Sequence, residues 1–351
     1  MKTTPRHSRL LVCLVAWAAV LAGSEARSDS ILDVSVYATL AERPMTLSFG
    51  ADGELFVGSS RTEGADIDAS WVYRVAPGGG VASTYGNARL LDPDAVLFDA
   101  DGRISGVAGS VIVGGVATWN GIQERGRLSA IRPDGTIQSI DSPLFQNPVQ
   151  MAFDSTGRML FTNQGDSRGV FAVTPGPAGN QLSQLIGFPD PLQTPRGLAI
   201  GPGDLIYTAH VDGVIRVHAS DGSLVNDAFA TVFDPTGWLP GERSSGLAFA
   251  NGGLFGTDLY ATTGRSGEIL RISPSGQTET ILSGLGGITG IAFGPDGAMY
   301  LSDHQNFRIL RVAPSNSPPA VIPEPASLVL FSLGGLAVAG LRFRIWSRNR
   351  G

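Results

Sequence analysis

His210 closes the phrase "LIYTAH" and Asp303 closes "AMYLSD", with His304 directly after it, in a chain of 351 residues. Histidine titrates near neutrality, so a histidine set beside a carboxylate can pass a proton at ordinary pH. The tyrosines at Tyr207 and Tyr300 put His210 and Asp303 at matching points of two similar units. That makes His210, Asp303 and His304 the candidates for proton transfer. The same three side chains also suit a plainer role, tying loops or touching a ligand without chemistry. His218 falls inside an apolar strand pattern and reads as structural.

Three other groups carry chemical potential. The stretch "RTEGADIDAS" brings together Glu63, Asp66 and Asp68, hard oxygen ligands of the kind Ca²⁺ takes, although their spacing departs from the long calcium-loop pattern and an acidic loop is usually just solvated. The stretch "GSVIVGGVATWNGIQERGRL" reads as an insertion that sets Trp119 beside Asn120, Gln123 and Glu124. An aromatic face flanked by amides and a carboxylate suits a sugar, and a Trp packed under a loop accounts for it equally simply. Asp99 and Asp101 lie in "DADG", whose equivalents elsewhere in the chain read as plain hairpin turns. No nucleophile elbow, zinc-protease helix, P-loop or dinucleotide fingerprint is present in the sequence.

The elements that must position these residues are repeated. The phrases "MTLSFGADGELFVGS", "AVLFDADGRISGVA", "VQMAFDSTGRMLFTNQ", "GLAIGPGDLIYTAH", "GLAFANGGLFGTDLYATT" and "GIAFGPDGAMYLSDH" each read as strand, Gly turn, strand. With Leu47, Val96, Met151, Leu198, Leu247 and Ile291 equivalent, the steps are 49, 55, 47, 49 and 44 residues. Such a period belongs to propeller blades. Most units add third and fourth strands, as in "GEILRISPSGQTETILSG", where the alternation around Glu268 to Ile272 predicts half-buried strands and S-G supplies a hairpin turn. The predicted fold class is therefore all-β, a six-bladed β-propeller over 31–314. Its sixth unit lacks a fourth strand before "APSNSPPAVIPEP", and Ile31 to Leu40, "ILDVSVYATL", can supply it and close the ring. Closure removes two sheet edges that would otherwise template aggregation.

The phrase "GIAFGPDGAMYLSDHQNFRILRV" resembles the NHL repeat and the related propellers of the gluconolactonase and virginiamycin B lyase families. That resemblance implies a site at one mouth of the central channel, built from residues just before each innermost strand and from the loops joining second to third strands. The first set falls near Pro44, Asp94, Gln150, Arg196, Ser245 and Thr289, and the second includes Asn163, His210, Asp303 and His304. Asn163, Arg196, His210, Asp303 and Trp119 are thus the ligand-binding candidates. A gluconolactonase-type metal site implies a Glu, Asn and Asp cluster at the first set, which this chain does not hold. A virginiamycin-type lyase implies histidine and acid pairs beside a metal, which His210 and Asp303 could mimic. No cofactor is established by the sequence.

The two ends speak of location. Lys2, Arg6 and Arg9, an apolar run from Leu10 to Ala22, and small residues near Ser24 and Ala26 make a secretory signal over 1–26. The one cysteine, Cys13, would leave with it. Without those three basic residues and the four C-terminal arginines, 18 of 25 basic residues remain against 29 of 31 acidic ones, a net charge of −11 that repels nucleic acid. After a linker over 315–322, Pro323, Glu324 and Pro325 precede an apolar run to Leu341 and then Arg342, Arg344, Arg348 and Arg350. As a helix that run spans about 24 Å, enough with Ile345 and Trp346 to cross a membrane, arginines on the cytoplasmic side. Triplet, apolar segment and basic tail over 323–350 resemble the PEP-CTERM sorting signal. The resemblance implies an exosortase as partner, passage through the inner membrane of a Gram-negative bacterium, and association with exopolysaccharide. The expected function is an exported surface or matrix propeller that binds or builds; the alternative is an exported lyase or lactonase-like hydrolase working at the channel mouth.

Overall fold

The computed structural model describes residues 32–60, 69–119, 124–140, 146–177, 179–233 and 246–315. The signal segment, Glu63, Asp66, Asp68, Ser245 and the whole sorting segment with Pro323, Glu324, Pro325 and Arg342, Arg344, Arg348 and Arg350 lie outside the described residues.

The described chain is an all-β six-bladed propeller with only short 3₁₀ turns besides its strands. Blade 1 is Arg43–Phe49, Leu55–Ser60, Ala69–Val75 and Ser83–Leu91. Blade 2 is Ala95–Asp99, Ser110–Trp119, Glu124–Ile131 and Ile137–Ile140. Blade 3 is Asn147–Phe153, Met159–Gln164, Gly169–Thr174 and Gln181–Gly187. Blade 4 is Pro195–Ile200, Ile206–His210, Val214–His218 and Leu224–Thr231. Blade 5 is Leu247–Phe249, Leu259–Thr262, Ile269–Ile272 and Thr278–Leu282. Blade 6 takes Ile288–Phe293, Met299–Asp303 and Arg308–Pro314 from the end of the chain and Leu32–Thr39 from its start. Each inner strand touches those of the blades on either side, and Arg43–Phe49 meets Ile288–Phe293 to complete the circle.

The repeated phrase has a packing cause. The aromatic residue ending an inner strand meets the ring of the preceding blade's second strand, as Phe49 meets Tyr300 at 4.8 Å, Phe249 meets Tyr207 at 5.1 Å and Phe293 meets Tyr260 at 5.3 Å. A glycine after the neighbouring inner strand leaves room for that contact: a Cβ at Gly201, directly after Ile200 of blade 4, would stand 2.6 Å from the Tyr207 ring and 2.8 Å from Phe249. The blades are thus stacked through edge-to-face rings.

Three expectations need correction. Ile269, Leu270 and Ile272 are all buried where alternation predicted one buried face, because a neighbouring blade covers each side of a middle strand. In blade 2, "GRISGVA" is not the second strand. Ala100 to Gly109 form a loop knotted around Asp99, whose carboxylate accepts from the backbone N–H groups of Arg103, Ile104 and Ser105 and from the Ser105 hydroxyl. The stretch beginning at Ser110, read as an insertion, is the second and third strands themselves. The third correction concerns the closing strand, which gains a partner that sequence did not reveal: Gly80–Val81 of blade 1 pairs with it in parallel, Ala38 facing Gly80 and Thr39 facing Val81.

Candidate functional site

In blades 1, 3, 4 and 6 the inner strand begins beside the end of the second strand, where Pro44 faces Ser59, Pro148 faces Asn163, Pro195 faces His210 and Ile288 faces Asp303. Directly after this pair the register slips in blades 1, 3, 4 and 6. Such a bulge re-aims the side chains it carries. Counted from the aligned inner-strand residues Leu47, Val96, Met151, Leu198 and Ile291, the same layer holds Met45, Asp94, Val149, Arg196 and Thr289. The six positions taken from sequence therefore do not share one layer: Pro44 stands one residue earlier and Gln150 one residue later.

Asp94 and Arg196 are held by the blades before them. Thr46 of blade 1 donates through its hydroxyl to the Asp94 carbonyl at 2.7 Å and accepts from the Val96 N–H at 2.9 Å. In blade 3, the Thr162 hydroxyl donates to the Arg196 carbonyl at 3.1 Å, and the Gln150 side-chain carbonyl accepts from the Leu198 N–H at 3.0 Å. Gln150 also donates to the Leu247 carbonyl at 2.8 Å, so one amide links blades 3, 4 and 5. Close backbone approach tightens the frame further, since a Cβ at Gly58 would meet the Asp94 carbonyl oxygen at 2.3 Å. Asp92, at φ +48° and immediately before Pro93, sits in the left-handed region that non-glycine residues avoid.

While their backbones are clamped, these two side chains are not. Asp94 Oδ1 and Arg196 Nε are buried without a hydrogen-bond partner, and no Asp94 oxygen lies within 4.0 Å of an Arg196 nitrogen. Burial, and then the Asp92 charge, pushes the Asp94 carboxyl well above the ordinary carboxylate value, against the pull of Arg196. Burial lowers the Arg196 guanidinium, and Asp94 opposes that shift. The carboxyl and the guanidinium thus sense each other without touching.

The other candidates from sequence are brought to the same end of the blades, and their polar atoms, all but the Nε2 of His304, are engaged in structure. His210 is fully buried; its Nδ1 donates to the Gln193 carbonyl at 2.7 Å, which leaves Nε2 to accept from the Thr208 hydroxyl at 2.8 Å. Burial lowers its pKa to about 4, so the ring is neutral at pH 7. Asn163 accepts from the N–H groups of Gln146 and Asn147 and donates to the Ser167 carbonyl. Asp303 accepts from the Asn306 amide and the Arg308 guanidinium, and His304 binds the Gly287 carbonyl through Nδ1 at 3.0 Å. The contacts of His210, Asn163 and His304 pin the segments leading into the inner strands, and those of Asp303 hold the turn before Arg308. The matched placing of His210 and Asp303 was legible in sequence; their engagement within their own blades was not. Trp119 ends its strand opposite Glu124, and its side chain lies outside the described residues.

A surface groove of about 480 Å³ on blade 1, lined by Glu42, Trp71, Tyr73, Thr84 and Arg89, is less promising. Glu42 there accepts from Ser59, the Trp71 N–H and Arg89, the last at 2.6 Å, and Arg89 lies over the Trp71 ring at 5.4 Å. Its charges already satisfy each other.

A divalent cation of the gluconolactonase kind does not fit the channel layer. Among the described residues it offers one carboxylate, Asp94, alongside a guanidinium, and no group of three or more His, Cys, Asp or Glu stands together anywhere in them.

No family model and no curated protein matches the sequence. The fold is similar to that of a gluconolactonase from Xanthomonas campestris, with a TM-score of 0.60 and 14% identity over 81% of this chain and 90% of that one. It is similar to a soluble aldose sugar dehydrogenase from Escherichia coli, with a TM-score of 0.56 and 14% identity over 81% of this chain and 100% of the other. A streptogramin B lyase gives a TM-score of 0.52 at 14% identity, covering 81% and 98% of the two chains. At these identities the likeness is one of fold.

Proposed function

We propose that this chain is an exported binding propeller of the bacterial surface or polysaccharide matrix, taking its ligand at the channel mouth between Asp94 and Arg196. The observation that carries the reading is the enclosed, unpartnered Asp94 Oδ1 and Arg196 Nε, while His210 and Asp303 are already committed to their own blades. A proton-transfer catalyst needs an uncommitted base within reach of its substrate. A binding site needs only fixed polar groups in a concave wall.

Export rests on the signal segment over 1–26 and on the resemblance of 323–350 to the sorting signal, with an exosortase and the inner membrane as transient partners and exopolysaccharide as the surrounding material. Mass spectrometry of the protein from its own host, reporting both termini and its location, tests export. Replacing Pro323 and Glu324 with alanine should leave folding intact and block C-terminal processing; unchanged processing would remove the sorting assignment.

Likeness to the Xanthomonas gluconolactonase supports a second reading, a lactonase-like hydrolase. The binding reading expects the purified protein to hold exopolysaccharide without turning over lactones. Sustained lactone hydrolysis abolished by Asp94→Asn would decide for the enzyme.

A further inference from the structure

Resting on the channel-mouth reading, we infer that its ligand is a small hydroxylated carboxylate, gripped by the Arg196 guanidinium at its carboxylate and by Asp94 at a hydroxyl. The argument begins with what each group lacks. A guanidinium offers five N–H donors in a planar fork and no acceptor, and the partner that satisfies such a fork best is a planar oxyanion. Arg196 is joined to no carboxylate within 4.0 Å among the described residues, and its Nε is enclosed and unpartnered. Asp94 presents the complementary need, an enclosed Oδ1 that makes no hydrogen bond.

In a site built only for stability, the two would close on each other, because an enclosed charge without a partner is costly. Here they are prevented from doing so. Thr46 fixes the Asp94 backbone from blade 1, while Thr162 and Gln150 fix the backbone around Arg196 from blade 3. The charges stand on blades 2 and 4, with Val149 of blade 3 between them in the same layer. Each is presented by a local distortion, Arg196 by the bulge between Pro195 and Gly197, and Asp94 by the turn in which Asp92 takes φ +48°. A gap held open between opposite charges fits a ligand that carries the matching charge at one end and a hydrogen-bonding hydroxyl at the other.

The remaining walls agree with a small ligand. Met45 and Val149 hold the equivalent positions of blades 1 and 3 and carry no charge, and Gln150, the next residue, is spent on the backbone of blades 4 and 5. Thr289 directs its hydroxyl to the Pro44 carbonyl at 3.3 Å, so it adds no competing donor toward the ligand. Selectivity then falls on Arg196 for charge and on Asp94 for the hydroxyl.

The test is calorimetry on the full chain with four probes: gluconate, glucuronate, neutral glucose and inorganic phosphate. Gluconate or glucuronate should bind at least about tenfold more tightly than glucose, the share a charge-assisted pair contributes. Arg196→Gln should erase that preference, and Arg196→Lys, which keeps the charge but not the fork, should retain part of it. Asp94→Asn should weaken gluconate while leaving phosphate unchanged. Equal binding of glucose and gluconate, unaffected by Arg196→Gln, would overturn the anion assignment while leaving a channel site in place. Phosphate binding as tightly as gluconate would overturn the hydroxyl half. Silence from all four probes, with the Asp94→Asn, Arg196→Gln double variant melting below the parent, would mark the pair as structural and overturn the inference. Exopolysaccharide retention, measured separately, then decides whether the binding reading falls with it.

Discussion

At the residue scale, the side chain that looked most catalytic is a buried neutral ring. His210 lies edge-on to Phe188 at 4.6 Å, near Arg216, Asp212 and His218, and burial is the main reason its pKa falls to about 4. The sign of the consequence follows from linkage. Between the unfolded value near 6.5 and the folded value near 4, the unfolded chain binds the extra proton, so stability rises with pH across that window. The contribution is complete above pH ~6.5 and is lost as pH falls toward ~4, amounting to about 3 kcal/mol. His210→Gln keeps a donor for the Gln193 carbonyl and cannot titrate, so the gap in unfolding free energy between variant and parent should shrink or invert from pH 7 to pH 4 in urea titrations. Parallel losses in both proteins would refute this role. His218, whose pKa burial and then Arg216 also lower, remains in both and sets a common background.

At the element scale, strand number and order were readable because the inner strands repeat one demand: an apolar face in all six, an aromatic at or next to the strand end in five, and in three a glycine directly after the strand. What escaped the sequence was non-local. Nothing in "DADGRISGVAG" reveals that Asp99, instead of serving a turn, collects four hydrogen bonds and organises a loop. The bulges that lift Arg196 into its layer are equally invisible, since they arise where an inner strand must satisfy both its own blade and the next. That is why the positions near Pro44 and Gln150 were placed one residue away from Asp94 and Arg196. Asp99→Ala leaves buried donors unmet and should cost about 3 kcal/mol. Trypsin should then cut after Arg103 in the folded protein, with Asp99→Asn intermediate; a protected loop in Asp99→Ala would show that packing alone holds it.

At the scale of the whole molecule, the ring is closed by its two ends. Ser35 donates to the Arg311 carbonyl across 276 residues of sequence, and Leu40 donates to the Phe307 carbonyl. The latch is pinned from the other side too, because Gly79, at φ +88°, packs where a Cβ would stand 2.1 Å from the Tyr37 carbonyl oxygen. Contacts this distant in sequence form late, since loop closure must be met before they stabilise anything. In an exported chain, the first strand through the membrane would therefore wait for the last. Until it docks, Arg308–Pro314 keeps an open edge, and Ile309, Leu310 and Val312, all buried in the closed ring, belong to that strand. A chain lacking residues 27–39 should associate through this edge and elute as oligomers in size-exclusion chromatography. A chain lacking residues 316–351 should keep the parent's oligomeric state and melting temperature, because Leu32–Ala313 forms one compact unit by its own contacts. A monomer of parental stability from the first deletion would mean that three strands suffice for blade 6, and that the N-terminal strand is covering, not closure.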